Sequence, residues 1–142
     1  MKIFLLLLFA AVGSTFANEG RSLTVTVTNI PGPKGDLLVG LYDSAKSFTG
    51  TPLPGSKKIP LKKSGGSVKT TFTGLKPGTY AVAVIQDLNG NGVLDRNAVG
   101  MPEEPLAFSV IKKIPWGKPK FAACSFEVAD KDVAMTIPLV LE

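Results

Sequence analysis

The sequence predicts an all-β fold, an antiparallel Greek-key β-sandwich of seven to eight short strands with an immunoglobulin- or transthyretin-like architecture. Three observations predict it. The 142 residues include 15 glycines and 11 prolines, which interrupt the chain too often for long helices. Several apolar stretches alternate with a period of two, as in strands with one buried face. Turn signals separate these stretches, and none of them has the 3.6-residue period of an amphipathic helix.

Composition excludes several kinds of chemistry. The chain has no histidine, so histidine-based triads and histidine-ligated zinc or haem are excluded. A single cysteine cannot form an internal disulfide, a cysteine-rich zinc site or an iron–sulfur cluster. We expect this residue, Cys124, to pack as a small hydrophobe on a strand face that it shares with Phe126 and Val128.

Residues 1–17 have the pattern of a secretory signal peptide. Lys2 supplies the positive charge, residues 3–12 form an apolar run, and Thr15-Phe16-Ala17 is a small-x-small cleavage site. The apolar run is shorter than the roughly 20 residues of a spanning helix. An uncleaved anchor is the alternative. We therefore predict one domain over residues 18–142, exported to the periplasm or secreted, with no transmembrane segment in the mature chain.

The first half of this domain reads as strands separated by turns. Apolar and polar residues alternate strictly over residues 23–28, which predicts a strand with one buried face. Residues 36–42 are more evenly apolar, which predicts a more central strand. A turn rich in proline and glycine lies between them. Residues 43–48 could then form one helical turn, with Asp43 or Ser44 as its cap.

A short strand around residues 58–62 is expected at a sheet edge, because Pro60 cannot donate to a ladder. Its lysines would discourage edge-to-edge pairing; they are Lys57, Lys58, Lys62 and Lys63. A basic patch for nucleic acid or an anionic glycan is the alternative interpretation. No aromatic residues are interleaved for base stacking, so we expect no nucleic-acid partner.

Further strands are predicted in the second half, at residues 67–73, 78–86, 106–110, 121–128 and 133–141. In the last of them, Val133, Met135, Ile137, Leu139 and Leu141 fall on one face. Tyr80 follows a Pro-Gly turn at the start of its strand, as in the tyrosine corner of Greek-key sandwiches. An ordinary half-buried tyrosine is the alternative.

One segment has the spacing of a metal site. Directly after the most apolar strand, oxygen-bearing side chains occupy loop positions 1, 3, 5 and 9, with Gly92 at position 6 for the bend. This pattern matches the first nine positions of D-x-[DN]-x-[DN]-G calcium loops, in which alternate residues direct their oxygens at one centre. The predicted ligands are Asp87, Asn89, Asn91, the carbonyl of Val93, Asp95 and Glu104.

The loop departs from a helix–loop–helix calcium site at position 12. Ala98 stands where a bidentate glutamate would be, so Glu104, or alternatively Glu103, has to supply the carboxylate. We expect a structural site of weak affinity, on the order of 10⁻⁴–10⁻³ M. The alternative is a metal-free turn, because Asn-Gly dipeptides favour turns without any ion. Residues 87–104 carry four acidic groups against one arginine, which suits a cation.

The order and spacing of these motifs resemble an exported bacterial family, the domain of unknown function 2141. The resemblance rests on the segments 75–84 (LKPGTYAVAV), 87–95 (DLNGNGVLD) and 100–109 (GMPEEPLAFS), and extends over about residues 23–139. It implies a signal peptide and one β-rich domain, and it implies no established activity. The Pro-Gly-x-Tyr segment is also similar to transthyretin-like and collagen-adhesin-repeat sandwiches, an analogy of fold alone.

These features predict a non-enzymatic module that binds a protein or glycan at the cell envelope, and we expect it to be monomeric. The candidate surface runs over residues 87–109, with Trp116 nearby as a residue that could stack on a ligand or pack in the core. Ser109 and Lys112 match a serine–lysine motif by chance, because that chemistry needs a larger α/β domain. A purely structural envelope domain is the alternative, and an enzyme of unknown type is a more remote one.

Overall fold

The computed structural model describes residues 20–62 and 66–141. They form eight strands and two one-turn helices. In chain order these are β1 (Arg21–Ile30), β2 (Asp36–Tyr42), α1 (Ala45–Phe48), β3 (Lys57–Pro60), β4 (Gly66–Leu75), β5 (Gly78–Asp87), β6 (Leu106–Phe108), α2 (Phe121–Cys124), β7 (Phe126–Val128) and β8 (Val133–Pro138).

The strands form two sheets. One has the order β4-β1-β8; the other has the order β3-β2-β5-β6, and β7 pairs with the start of β5. The predicted all-β sandwich is confirmed, with one departure from antiparallel pairing. Strand β8 runs parallel to β1, with Leu23 opposite Val133. The connection between β7 and β8 crosses from one sheet to the other, which lets β8 enter beside β1 in the same direction.

The core lies between the sheets and follows the predicted alternation. The inward residues Leu23, Val25 and Val27 of β1 are fully buried, as are Leu37 and Val39 of β2. The intervening threonines of β1 are only partly buried. The period of two therefore assigns the buried face of each of these strands correctly.

Strand β5 is covered on both faces, which explains its continuous apolar sequence. Val82 and Val84 point into the main core, whereas Ala81 lies in a second cluster with Phe48 and Cys124. Helices α1 and α2 provide this cover. The Phe48 ring makes edge-on contacts with other aromatic rings at centroid distances of 5.2–6.0 Å; its partners are Tyr42, Phe108 and Phe121.

Helix α1 confirms the predicted helical turn and selects Ser44 as its cap. The Ser44 hydroxyl accepts a hydrogen bond from the Ser47 backbone N–H (3.1 Å), and the Ser47 hydroxyl accepts one from the Ser44 N–H (3.2 Å). This reciprocal capping box satisfies two N–H groups that would otherwise have no partner.

The strand predicted over residues 121–128 is wrong in its first half. Phe121–Cys124 form helix α2, and only Phe126–Val128 form a strand. Phe121 and Cys124, three residues apart, both face the second cluster across one helical turn, while the alanines between them stay exposed. Cys124 is buried as a small hydrophobe, but in a different cluster from Phe126 and Val128.

The last strand is shorter than predicted. Strand β8 ends at Pro138, and Leu141 is 57% exposed instead of lying on the buried face. Leu139 is still buried as predicted, and its N–H donates to the Thr28 carbonyl of β1 at 2.9 Å. Val140 then forms a single bridge to Leu106 of the other sheet, and the predicted alternation ends there, before Leu141.

The expected edge strand is confirmed as β3. It pairs with β2 on one side, and Lys58 forms an ion pair with Asp36 at 3.5 Å. The ammonium group of Lys57 lies 5.5 Å from the centre of the Phe72 ring. Lys63 lies outside the described residues.

The tyrosine corner is also confirmed. The Tyr80 hydroxyl donates a 2.7 Å hydrogen bond to the Lys76 carbonyl and closes the turn between β4 and β5. The predicted signal peptide, residues 1–17, lies outside the described residues. Within residues 20–62 and 66–141, neither helix is long and apolar enough to cross a membrane.

Candidate functional site

The candidate calcium loop begins where β5 ends, at Asp87. The Asp87 carboxylate is fully buried, and each of its oxygens accepts a backbone N–H of the loop. Oδ1 accepts from Gly90 at 3.0 Å, and Oδ2 accepts from Gly92 at 2.8 Å. Both glycines have a positive φ, 74° and 78°, which residues with a side chain rarely adopt. The sequence D-x-x-G-x-G thus coils the loop around one carboxylate.

Asn89 and Asn91 continue this coil. The Oδ1 atom of each accepts the N–H of the residue two positions later, at 3.2 Å from Asn91 and 3.1 Å from Val93. Their Nδ2 groups both donate to the Asp95 carboxylate, at 2.6 and 2.7 Å. The structure therefore brings loop positions 3, 5 and 9 into direct contact, as their spacing predicts.

Glu104, not Glu103, completes the loop. Its side chain is 2% exposed, and it accepts the Leu88 N–H at one oxygen (3.0 Å) and the Asp95 N–H at the other (3.1 Å). Glu103 is exposed and contributes only its backbone N–H, which donates to the Asp95 carbonyl. One buried carboxylate thus joins the beginning of the loop to its end.

The donor set is compatible with calcium, although its carboxylates do not form a compact cluster. Asp87, Asp95 and Glu104 all line the loop, and their oxygens, with those of the asparagines, are hard donors. In the described segments of the chain, no group of three or more acidic, histidine or cysteine side chains is assembled for a metal ion. The two asparagine side chains now direct their NH₂ groups at the Asp95 carboxylate. Calcium binding would require both amides to rotate so that their oxygens face Asp95 instead.

The turn between β1 and β2 lies at the same end of the sandwich and fixes the base of the loop, since Asp36 pairs with Asp87. The Gln86 Nε2 group donates to the carbonyls of Gly32 (3.0 Å) and Lys34 (2.9 Å). Gly35 has φ 72°, and a Cβ atom there would lie 2.0 Å from the Asp87 carbonyl oxygen. The turn between β1 and β2 therefore packs directly against the first residue of the loop.

A cleft lies beside the loop, and we name it the Trp116 cleft. Its floor includes Leu106 and Phe108, which are buried, and its rim is formed by Trp116, which is 81% exposed. The cavity has a volume of about 60 Å³. Trp116 therefore does not pack in the core, whereas Phe108 does.

Two cations line the same cleft. The Arg96 Nη1 group donates to the Gly100 carbonyl at 2.9 Å. Lys118 donates to the Phe48 carbonyl, and its ammonium group lies 4.7 Å from the centre of the Phe48 ring. Burial, together with the nearby charge of Arg96, lowers the pKa of Lys118. Sequence reasoning missed this pair, because the two residues are far apart in the chain and share no motif.

Ser109, the serine of the serine–lysine pattern, makes hydrogen bonds that hold the fold together. Its fully buried hydroxyl accepts the Val82 N–H at 2.9 Å and donates to the Cys124 carbonyl. These two bonds tie β5, β6 and α2 together at the floor of the second cluster.

A family model matches residues 25–136, which is most of the chain and includes the loop and all the lining residues of the cleft except Val140. The chain belongs to the DUF2141 family, described as "Uncharacterized protein conserved in bacteria". No curated protein and no solved structure matches the chain. Membership of the DUF2141 family confirms the resemblance that the three motif segments indicate.

Proposed function

We propose that the protein is an exported, non-enzymatic β-sandwich module that binds a protein or glycan at the cell envelope and whose loop holds a structural calcium ion. The observation that carries the proposal is the Trp116 cleft beside the closed loop of residues 87–104. An exposed tryptophan next to a buried aromatic floor is a common arrangement at binding surfaces.

The loop supports the calcium part of the proposal through its oxygen atoms. Asp87, Asp95 and Glu104 bring three carboxylates to one short loop, and each accepting oxygen retains a second lone pair. When bound, calcium would brace the loop by bonding to these oxygens. The residues of the chain already coil the loop, close its ends and hold Asp95 against the two asparagines.

A purely structural role is the second candidate, and one observation favours it. The buried carboxylates of Asp87 and Glu104 each accept two backbone N–H groups, so the loop is held together by its own hydrogen bonds. In this role the loop would need no ion and the cleft no ligand.

Co-sedimentation of the mature chain with purified bacterial envelopes tests the binding function. We expect retention of the wild-type chain and loss of most of it with Trp116→Ala; Val110→Ala serves as a control because Val110 is also exposed but does not line the cleft. Protease treatment of the envelopes separates a protein ligand from a glycan. Equal retention of wild type and Trp116→Ala would contradict a ligand site at the cleft.

A further inference from the structure

We propose that the Trp116 cleft selects an aliphatic carboxylate, with the aliphatic chain on the apolar floor and the carboxylate between Arg96 and Lys118. This inference rests on the proposed function, because it gives the ligand site of that module a chemical class. The apolar lining of the cleft, its small volume and the positive charges of Arg96 and Lys118 support this ligand class.

The floor and walls of the cleft favour an aliphatic group. Besides Leu106 and Phe108, the lining includes the apolar side chains of Met101, Ile114 and Val140. An apolar group that covers these side chains removes their surface from water, which is favourable. The volume of about 60 Å³ is well below the roughly 150 Å³ of a closed cavity that accepts benzene, so the cleft can enclose only a short apolar segment of a ligand.

The two cations favour an anion at the same place. Each is held in position, Arg96 by the Gly100 carbonyl and Lys118 by the carbonyl and ring of Phe48. In residues 20–62 and 66–141 the one ion pair joins Lys58 and Asp36, so neither cation of the cleft has a carboxylate partner there. Burial lowers the pKa of Lys118, and the repulsion from the nearby charge of Arg96 lowers it further.

A carboxylate between the two groups would relieve this repulsion. A guanidinium can bind both carboxylate oxygens at once, and an ammonium adds a further charge-assisted hydrogen bond. Because both cations are already anchored, little side-chain freedom is lost when the ligand binds. The exposed indole of Trp116 can then cover the first methylene groups of the chain at the rim.

Trp116 is the single tryptophan of the chain, so its fluorescence reports on the cleft alone. The test is a titration of the mature protein with octanoate, octan-1-ol and acetate, following the tryptophan emission. We expect octanoate to bind and to shift the emission to shorter wavelength, and the other two to bind at least tenfold more weakly. Between butyrate and hexanoate the affinity should rise by about fourfold per added methylene, and then level off as the cavity fills.

Charge variants test the role of the two cations. Arg96→Gln and Lys118→Gln should each weaken octanoate binding by about tenfold or more, since each removes a charge-assisted hydrogen bond. Lys113→Gln is the matched control, because Lys113 is exposed and lines a neighbouring groove but not the Trp116 cleft. It should bind octanoate as the wild type does.

Three outcomes would overturn the inference. Equal binding of octanol and octanoate would show an apolar cleft without selectivity for anions, and would leave the proposed binding function standing. Equal losses in all three lysine and arginine variants would show a general effect of net charge. No response of Trp116 to any of these probes would exclude this ligand class, while retention on envelopes tests the proposed function separately.

Discussion

Asp87 and Glu104 show how single carboxylates organise an irregular loop. Each is buried, and each accepts two backbone N–H groups that have no strand partner. Such groups must be satisfied when water is excluded, because a buried N–H without a partner costs about 1–3 kcal/mol. The stability of the loop therefore depends on these side chains whether or not an ion is bound.

We predict that Glu104→Gln lowers the free energy of unfolding by about 2–3 kcal/mol, measured in urea without calcium. The amide offers one acceptor oxygen, and its NH₂ group would face an N–H donor at the other position. Glu103→Gln is the matched control; Glu103 is exposed, and the change should cost less than about 0.5 kcal/mol. Equal stability of the two variants would contradict the bridging role of Glu104.

We predict that the Cys124 thiol is unreactive in the native state. The residue is fully buried, and burial raises the pKa of the thiol, so little thiolate is present or accessible at neutral pH. Labelling with a thiol-specific disulfide reagent should be at least about 100-fold slower in the native protein than in guanidinium chloride. Labelling of the native protein at the unfolded rate would disprove the packing of Cys124 in the second cluster.

For single residues, the sequence predicts well which side chains form the loop and poorly which ones form the cleft. The spacing of Asn89, Asn91 and Asp95 indicates side chains that do meet, because neighbours in a tight loop are also neighbours in space. The Asp87 carboxylate binds backbone N–H groups of the loop instead. The choice between Glu103 and Glu104 depends on which one the fold buries. The pairing of Arg96 with Lys118 depends on two segments meeting, for which no local pattern exists.

Among the elements, the turn between β1 and β2 has the strictest steric requirement. Gly35 combines a positive φ with a backbone that leaves no room for a Cβ atom beside the Asp87 carbonyl. The same turn is held by Gln86, whose side chain donates to two of its carbonyls. A proline- and glycine-rich sequence predicts a turn here, but not its contact with β5.

We predict that Gly35→Ala destabilises the protein by more than about 3 kcal/mol or prevents folding, because the contact is with backbone that cannot move aside. Gly32→Ala is the matched control in the same turn. A Cβ atom at Gly32 would meet nothing within 4 Å, so that variant should lose less than about 1 kcal/mol. Thermal unfolding of both variants, followed by circular dichroism, makes the comparison. A stable Gly35→Ala variant would contradict the close approach of the turn to Asp87.

We predict that Tyr80→Phe costs about 1–1.5 kcal/mol, because it removes the hydrogen bond from the Tyr80 hydroxyl to the Lys76 carbonyl and keeps the ring. Tyr42→Phe is the control, since the Tyr42 hydroxyl has no hydrogen-bond partner among the described side chains and backbone groups. Urea denaturation measures both changes. A larger loss for Tyr42→Phe would show that the tyrosine corner does not stabilise the turn.

The sequence pattern does not distinguish helix from strand in very short elements, because only a few residues carry the pattern. Cys124, Phe126 and Val128 suggest one alternating strand, but Phe121 is out of phase with them and lies three residues before Cys124, a spacing compatible with one helical turn. Packing decides between the two, because α2 has to cover the outer face of β5 and fill the space beside Phe48. Longer strands such as β1 carry enough alternations to be assigned from sequence alone.

For the whole molecule, the two sheets meet at the loop and the cleft. Strand β6 pairs with β5, and Leu106 forms a bridge to Val140 beyond β8, so both sheets contribute to this end of the sandwich. The sequence predicts the sandwich because the alternation of its strands is clear. The parallel pairing of β1 with β8 depends on how the last connection crosses between the sheets, which strand patterns do not specify.

The most direct measurement is thermal unfolding of chelator-treated residues 18–142 with and without 10 mM calcium (a concentration roughly 10–100 times the expected dissociation constant). We predict a stabilisation of about 1.4–2.7 kcal/mol, seen as a rise of roughly 5 °C or more in melting temperature. Asp95→Asn should lose this rise, since Asp95 gathers both asparagines, whereas Glu103→Gln should keep it. A melting temperature that calcium leaves unchanged, or raises equally in Asp95→Asn, would contradict a calcium site in the loop.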